Sequence, residues 1–313
     1  MKMKGVLSIP DGLLCEEEVL GKRFHAIASE ITFDIVFPSI SRDTKSNTMD
    51  YLGLSNPLIP PVNGKSLRRG DEKVFWGYPV QYPKMNSYVE NVLVEIECTE
   101  ENANQLAQDL YNVISNWMSA FKRYSQLLTK EQFKRNQNES NNNHILELLL
   151  SGKFIQNLHP LTFDLNFFTN CTFLSSKEVE EVIAYASSGK ELLLEYQMLL
   201  SAYEAFGKGQ NRQATIDACA AVEICLVNWI DNFCANKAIP SELLTKKYRS
   251  LGDLFKLVRR LDNSFPQLDF EKQIVIPRND VAHNRNVFPS DESTVQLIEM
   301  VEKFLSHYHT RYY

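Results

Sequence analysis

The segment Pro277-Arg278-Asn279-Asp280-Val281-Ala282-His283 carries the residue types and spacing best suited to chemistry in this chain. Arginine offers a planar, permanently charged fork that matches two phosphate oxygens at once. Histidine is the side chain that gives and takes protons near neutral pH. On a helix, Asn279 and His283 stand one turn apart and share a face. Arg278 lies about 140° round from His283, and its long side chain can fold back across the start of the helix. With Pro277 in the first turn, where its missing N–H costs nothing, the spacing predicts all three groups around a helix N-terminus. Free N–H groups and the helix dipole favour a phosphate there. The competing reading is plainer: Arg278 and Asn279 cap a helix, and His283 packs at a helix surface.

These residues need a scaffold, and the composition bounds it. The chain has 313 residues, 44% hydrophobic and 23% charged, with a net charge of −6. At about 150 residues per domain this length favours two domains, each long enough to bury a core without a disulfide or metal staple. Wholesale disorder and low-complexity character are excluded. So is a protein coated in positive charge for bulk binding of nucleic acid or membrane, although a local basic patch is not. The region 177–313 is itself net negative, with 16 basic against 19 acidic residues. That suits an enzyme touching a few phosphates at one place better than a protein that coats RNA. Cysteines fall at 15, 98, 171, 219, 225 and 234, with no CxxC pair and no Cys/His cluster at zinc spacing, so neither a metal nor a cofactor is expected. Cys219, Cys225 and Cys234 lie in one apolar stretch and read as small core residues. The N-terminus lacks the apolar run of a signal peptide, and no uninterrupted stretch reaches the ~18 residues of a membrane span. The expected compartment is the cytoplasm, with no membrane partner.

The first hundred residues read as strands: Lys4–Ile9, Ile31–Phe37, Lys73–Val80 and Tyr88–Cys98, the last in clear alternation. From Glu100 the period changes, and Leu106, Leu110, Val113, Ile114, Trp117 and Phe121 predict an amphipathic helix from Glu101 to about Leu128. The polar run Lys130–Asn143 reads as the best boundary. From Ser176 onward the pattern is helical: Ser176–Phe206 ended by Gly207 and Gly209, Asn211–Lys237, Ser241–Leu261, a short helix after Pro277, and a last one after Ser290. The fold class is therefore α+β, with an N-terminal strand-rich domain over 1–140, a connecting segment over 141–176 and an all-α bundle over 177–313.

Arg-Asn-x-x-Ala-His, late in a helical bundle and opening a short helix before a closing one, resembles the Rx4-6H motif of the HEPN superfamily. The resemblance covers residues 177–313 and leaves the N-terminal domain unassigned. It implies a metal-independent endoribonuclease, a hydrolase of the toxin or antiviral-defence type, in which the ribose 2′-OH attacks the adjacent phosphate and leaves a 2′,3′-cyclic phosphate. Arg278, Asn279 and His283 would be its catalytic residues, with Glu223 and Asp280 in support. Glu223 sits in the apolar run Ala-Ala-Val-Glu-Ile-Cys, where a buried carboxylate needs a partner; Arg278 or another basic residue of the motif helix is the candidate, and exposure at a helix edge or a place in the dimer interface are the alternatives. One histidine per chain is too few for an acid and a base. Members of the superfamily typically solve this as dimers that share one cleft, so a homodimer is expected. One subgroup carries a tyrosine two residues after the histidine that receives an inhibiting nucleotide. Arg285 stands there in this chain, so another control, such as a regulatory protein partner, is implied.

Lys246, Arg249, Lys256 and Arg260 fall within a stripe of about 80° if Ser241–Leu261 is one helix. They and Arg285 form the expected RNA-binding surface, with a merely solvated face as the alternative. His307 and His309 point about 200° apart on one helix, so the C-terminal His-Tyr-His run reads as an aromatic helix end and not as a chelate. Two competing functions remain from other classes: a catalytically silent HEPN scaffold in a larger complex, and a ligand-sensing protein whose helical domain only dimerises.

Overall fold

The computed structural model describes residues 1–42, 52–55, 76–82, 84–130, 149–150, 153–154, 172–245, 247–266, 269–283, 287–309 and 312–313. The fold is α+β, an antiparallel sheet followed by helices. The described residues up to Lys190 cluster into one compact unit, and those of Glu191–Tyr313 into a second.

The first unit is built on strand β7 (Lys84–Glu97), which alternates apolar and polar residues and is the centre of its sheet. β1 (Lys2–Glu16) lies antiparallel along one side of it. On the other side β6 (Gly77–Tyr82) and β3 (Ile31–Val36) pair with its two ends, and β2 (Arg23–Ala28) completes the sheet beside β3. β4 (Ser39–Arg42) with β5 (Leu52–Ser55), and β8 (Leu149–Leu150) with β9 (Lys153–Phe154), form separate antiparallel pairs. β2 was not among the strands expected from the sequence, although Phe24, Ala26 and Ala28 alternate inward. Its signal is weak because two of its three inward residues are alanines, which are poor strand formers. Helix α1 (Ala103–Thr129) covers the sheet and buries Trp117 edge-on against Phe33, with ring centroids 5.4 Å apart.

α2 (Ser176–Ser188) packs on α1 and β2, and Tyr185 stacks on Tyr124 at 4.7 Å. The single helix expected over Ser176–Phe206 is therefore two. Gly189 takes the left-handed conformation (φ 65°) that ends α2, and glycine is the residue that does so without strain. The helix also starts from Ser175, whose hydroxyl accepts from the Glu178 backbone while Glu178 reaches back to Ser175, a reciprocal cap. α2 thus belongs with the sheet, and the second unit begins about one helix later than the boundary expected at residue 177.

The second unit is helical. α3 (Leu194–Gly207) and α4 (Asn211–Asn236) pack along each other, and α4 also touches α6 (Leu251–Leu261), α7 (Ile276–His283) and α8 (Asp291–Tyr308). α4 is long and apolar enough by composition to cross a membrane, but 44% of its most apolar window is buried inside the protein. Its role as the common partner of four helices accounts for that composition. The helix expected over Ser241–Leu261 breaks into the short α5 (Glu242–Thr245) and α6. Ser250 caps α6 by accepting from the Asp253 backbone N–H at 3.1 Å, so a new helix begins where one was expected to continue. Phe255, Phe265, Phe270 and Phe304 form an aromatic cluster with centroids 5.0–6.3 Å apart. Phe270 stands directly before the segment that carries the Arg-Asn-x-x-Ala-His residues and anchors it.

Candidate functional site

That segment does not begin as expected. Helical structure starts at Phe270 with a π turn over Glu271–Val275 and runs without interruption into α7. The free N–H groups of this run therefore lie near its start, where the Asp269 side chain accepts from the Lys272 N–H at 3.3 Å. Arg278, Asn279 and His283 sit further along the run, so the anion site expected from a helix N-terminus at Pro277 is not present. Pro277 explains the irregularity. Its ring crowds the carbonyl four residues back and it offers no N–H, and the wider π turn ahead of it relieves both constraints.

Packing fixes which face of α7 is outward. Ile274 and Val281, one heptad apart, are fully buried against the bundle. Burial of a side chain of this kind contributes roughly 1.5–3 kcal/mol, enough to hold the short helix in one rotation. Asn279, Asp280 and His283 are exposed as a consequence, and Arg278 is half-buried. Asn279 and His283 are one turn apart, as the spacing predicts. Arg278 Nη1 leans toward Asn279 and donates to its Oδ1 at 3.4 Å. Arg278 and Asn279 thus touch, and the exposed His283 lies one turn further along the same helix.

Glu223 is half-buried on α4, not fully enclosed, and no ion pair within 4 Å joins it to Arg278. Both instead act on Cys219, which lies beneath them and donates weakly from its thiol to the Ile274 carbonyl at 3.8 Å. Burial pushes that thiol up to about 12; the Arg278 charge opposes the rise, and the Glu223 charge adds to it. Cys219 is inert as a nucleophile in this state, and its carbonyl partner is part of the π turn.

Of the expected RNA-binding residues, Lys256 and Arg260 are exposed one turn apart on α6, with Arg259 exposed beside Arg260. Arg249 falls in the link before α6, so the four-residue stripe that assumed a continuous helix is broken by the Ser250 cap. Lys246 and Arg285 lie outside the described residues.

A second group went unforeseen. Glu195 on α3, Cys225 on α4 and His309 at the end of α8 bring their donor atoms within 4.8 Å of one another, and they are the one such group of possible metal ligands among the described residues. His307 is exposed. His309 meets its neighbours from other helices. The readable signal was Glu195 itself, an acid inside the apolar run Leu-Leu-Leu-Glu-Tyr. Its buried carboxyl would be pushed up by desolvation, yet the nearby His309 imidazole holds it below the usual carboxylate range. No family model, no curated protein and no solved structure matches the chain in comparisons with each.

Proposed function

We propose that this protein is a HEPN-type endoribonuclease of the toxin or antiviral-defence class, acting in the cytoplasm and cleaving RNA without a metal in the reaction. The observation that supports it is the exposure of Asn279 and His283 one turn apart, with the half-buried Arg278 touching Asn279, on a helix whose Val281 and Ile274 are buried. In this reading the Arg278 fork binds the scissile phosphate and offsets the charge that grows on its oxygens. The amide of Asn279, already a partner of Arg278, orients that fork. His283 removes the proton of the ribose 2′-OH, whose oxygen attacks phosphorus as the bond to the 5′-oxygen breaks. The leaving oxygen takes its proton from an acid, and the products are a 2′,3′-cyclic phosphate and a 5′-hydroxyl. The second imidazole needed for that step comes from a second copy of the chain, so the working unit is a homodimer with a shared cleft. Its exposed site lets two such helices approach. Lys256 and Arg260 are the nearest to a backbone-tracking surface that the described basic residues offer.

The test is purified protein with end-labelled RNA, with and without EDTA, beside Arg278→Ala and His283→Ala. The expected result is cleavage that survives EDTA, leaves cyclic phosphate ends, and falls by roughly 10²–10⁴ on loss of the imidazole. Equal cleavage by all three proteins would mark a contaminant and defeat the assignment. Full activity from a protein that sediments as a monomer at assay concentration would defeat the shared cleft. Absence of any cleavage would favour the silent scaffold.

A further inference from the structure

The cluster of Glu195, Cys225 and His309 is unlike an ordinary polar network. Glu195 is 1% exposed and Cys225 2%, while the His309 side chain is 21% exposed. His309 Nε2 lies 2.7 Å from Glu195 Oε1 and 3.6 Å from Cys225 Sγ. At that distance the imidazole, when protonated, pairs with the carboxylate, and the same nitrogen faces the thiol. A fully buried carboxylate thus shares one small space with a thiol and an imidazole, all three donor atoms within 4.8 Å of one another. A buried carboxylate is costly unless paired, so its presence here beside a thiol and an imidazole calls for a role. The other oxygen, Oε2, accepts from Asn228 Nδ2 at 3.4 Å.

A nucleophilic relay does not fit this arrangement. In a thiol–imidazole–carboxylate relay the thiol and the acid take opposite ring nitrogens, so that the imidazole passes a proton between them. Here both face the same Nε2, and the sulfur is closed off from any substrate. Three donor atoms converging on one point from three helices is instead the arrangement of ligands around an ion.

We propose that Glu195, Cys225 and His309 are the protein ligands of a site for a thiophilic divalent transition-metal ion of the zinc class. Binding would release the Cys225 thiol proton to solvent and form a metal–sulfur bond. Nε2 would bond through its lone pair with the ring proton on Nδ1, and the Glu195 carboxylate would give the third bond. The charges then cancel: +2 from the ion against −1 from the thiolate and −1 from the carboxylate, as a buried site requires. At usual zinc bond lengths and tetrahedral angles the donor atoms stand about 3.4–3.6 Å apart. The sulfur–nitrogen separation already has that value, the nitrogen–oxygen separation is 2.7 Å, and the sulfur lies within 4.8 Å of the carboxylate, so side-chain adjustment of Glu195 would complete the set. Asn228 would steady the ligating carboxylate from outside, as such partners do. The partly exposed imidazole leaves a route for the ion and for a water in the fourth position. Tyr196 packs edge-on against that imidazole with centroids 5.7 Å apart, and the Leu193 N–H donates to the Tyr312 carbonyl at 3.0 Å. The ion would thus pin the C-terminal segment to the start of α3.

The experiment is a cobalt(II) titration of the full chain, stripped with a chelator and kept reduced by a phosphine, with no RNA present, so that its outcome is separate from the ribonuclease reading. The expected result is a thiolate-to-cobalt charge-transfer band that saturates at one equivalent and is displaced by one equivalent of zinc. Cys225→Ser should abolish the band, while Cys219→Ser and Cys234→Ser keep it. Glu195→Gln and His309→Gln should each weaken zinc binding by at least about tenfold. A wild-type protein that stays folded by circular dichroism yet shows no band would overturn the site, whatever the variants do. So would a folded Cys225→Ser protein that retains it.

Discussion

Arg23 offers a quantitative test of how the first unit is held together. In the register of the sheet, Asp34 on β3 lies directly opposite Glu95 on β7, a like-charge pairing that would oppose strand association. Arg23 resolves it. Its Nη1 is 2.7 Å from both Asp34 Oδ2 and Glu95 Oε2, and Lys2 and Lys4 approach Glu95 at 3.3 and 3.4 Å. Glu95 is 4% exposed at its side chain, Arg23 40%. Arg23→Met keeps much of the apolar stem and removes two charge-assisted hydrogen bonds, nominally ~1.5–3 kcal/mol each. Because the guanidinium is substantially exposed and screened, the expected loss is about 1–3 kcal/mol at pH 7. The pH dependence has a definite sign. Burial pushes both carboxyls up, but Arg23 and Lys2 hold Glu95 below the usual range, and His25 and Arg23 hold Asp34 below it. Groups whose folded values are depressed add stability above their unfolded values, about 4, and that stability disappears as pH falls through the folded values. The gap between wild type and Arg23→Met should therefore be full at pH 7 and close as pH falls through the depressed folded values of the two carboxyls. Urea unfolding at a series of pH values reads it in a Trp229→Phe background, where emission comes from Trp76 and Trp117 of the first unit. A gap as wide at the acid end as at pH 7, or no gap at pH 7, would refute the electrostatic account.

Other consequences can be checked one at a time. Gly77 has φ 119°, and a Cβ there would stand 2.0 Å from the Tyr88 carbonyl oxygen, so Gly77→Ala should cost upwards of about 2 kcal/mol in the same urea assay. Tyr203 is buried and its hydroxyl donates to Glu302. Tyr203→Phe should cost about 1 kcal/mol in the second unit, read by Trp229 emission in a Trp76→Phe, Trp117→Phe background. Ser250→Ala removes the cap of α6 and should cost about 1 kcal/mol, with faster amide exchange over Leu251–Leu254. If Lys256 and Arg260 each meet a phosphate, replacing both with alanine should flatten the slope of log affinity against log salt for single-stranded RNA by about 1.4. An unchanged slope would remove them from the RNA surface.

Where one element's pattern is decided by its own periodicity, the sequence is enough to read it. α1 and α4 fall within one or two residues of expectation because long amphipathic or apolar repeats leave little choice. β7 is legible for the same reason, and the joint face of Asn279 and His283 follows from helical spacing alone. Short-range punctuation was harder. Gly189 and Ser250 each divide a stretch whose apolar spacing runs on past them, and only the observed caps show that the helix stops. The π turn ahead of Pro277 moved the helix start away from Arg278 because the bundle, through Phe270 and Ile274, holds the preceding residues helical. Most remote from the sequence is the convergence of Glu195, Cys225 and His309, which are separated by up to 114 positions along the chain. Residue types and their spacing along one helix determine which side chains can share a face; which helices meet, and therefore which acid, thiol and imidazole come to one point, is decided by the packing of the buried faces of α3, α4 and α8.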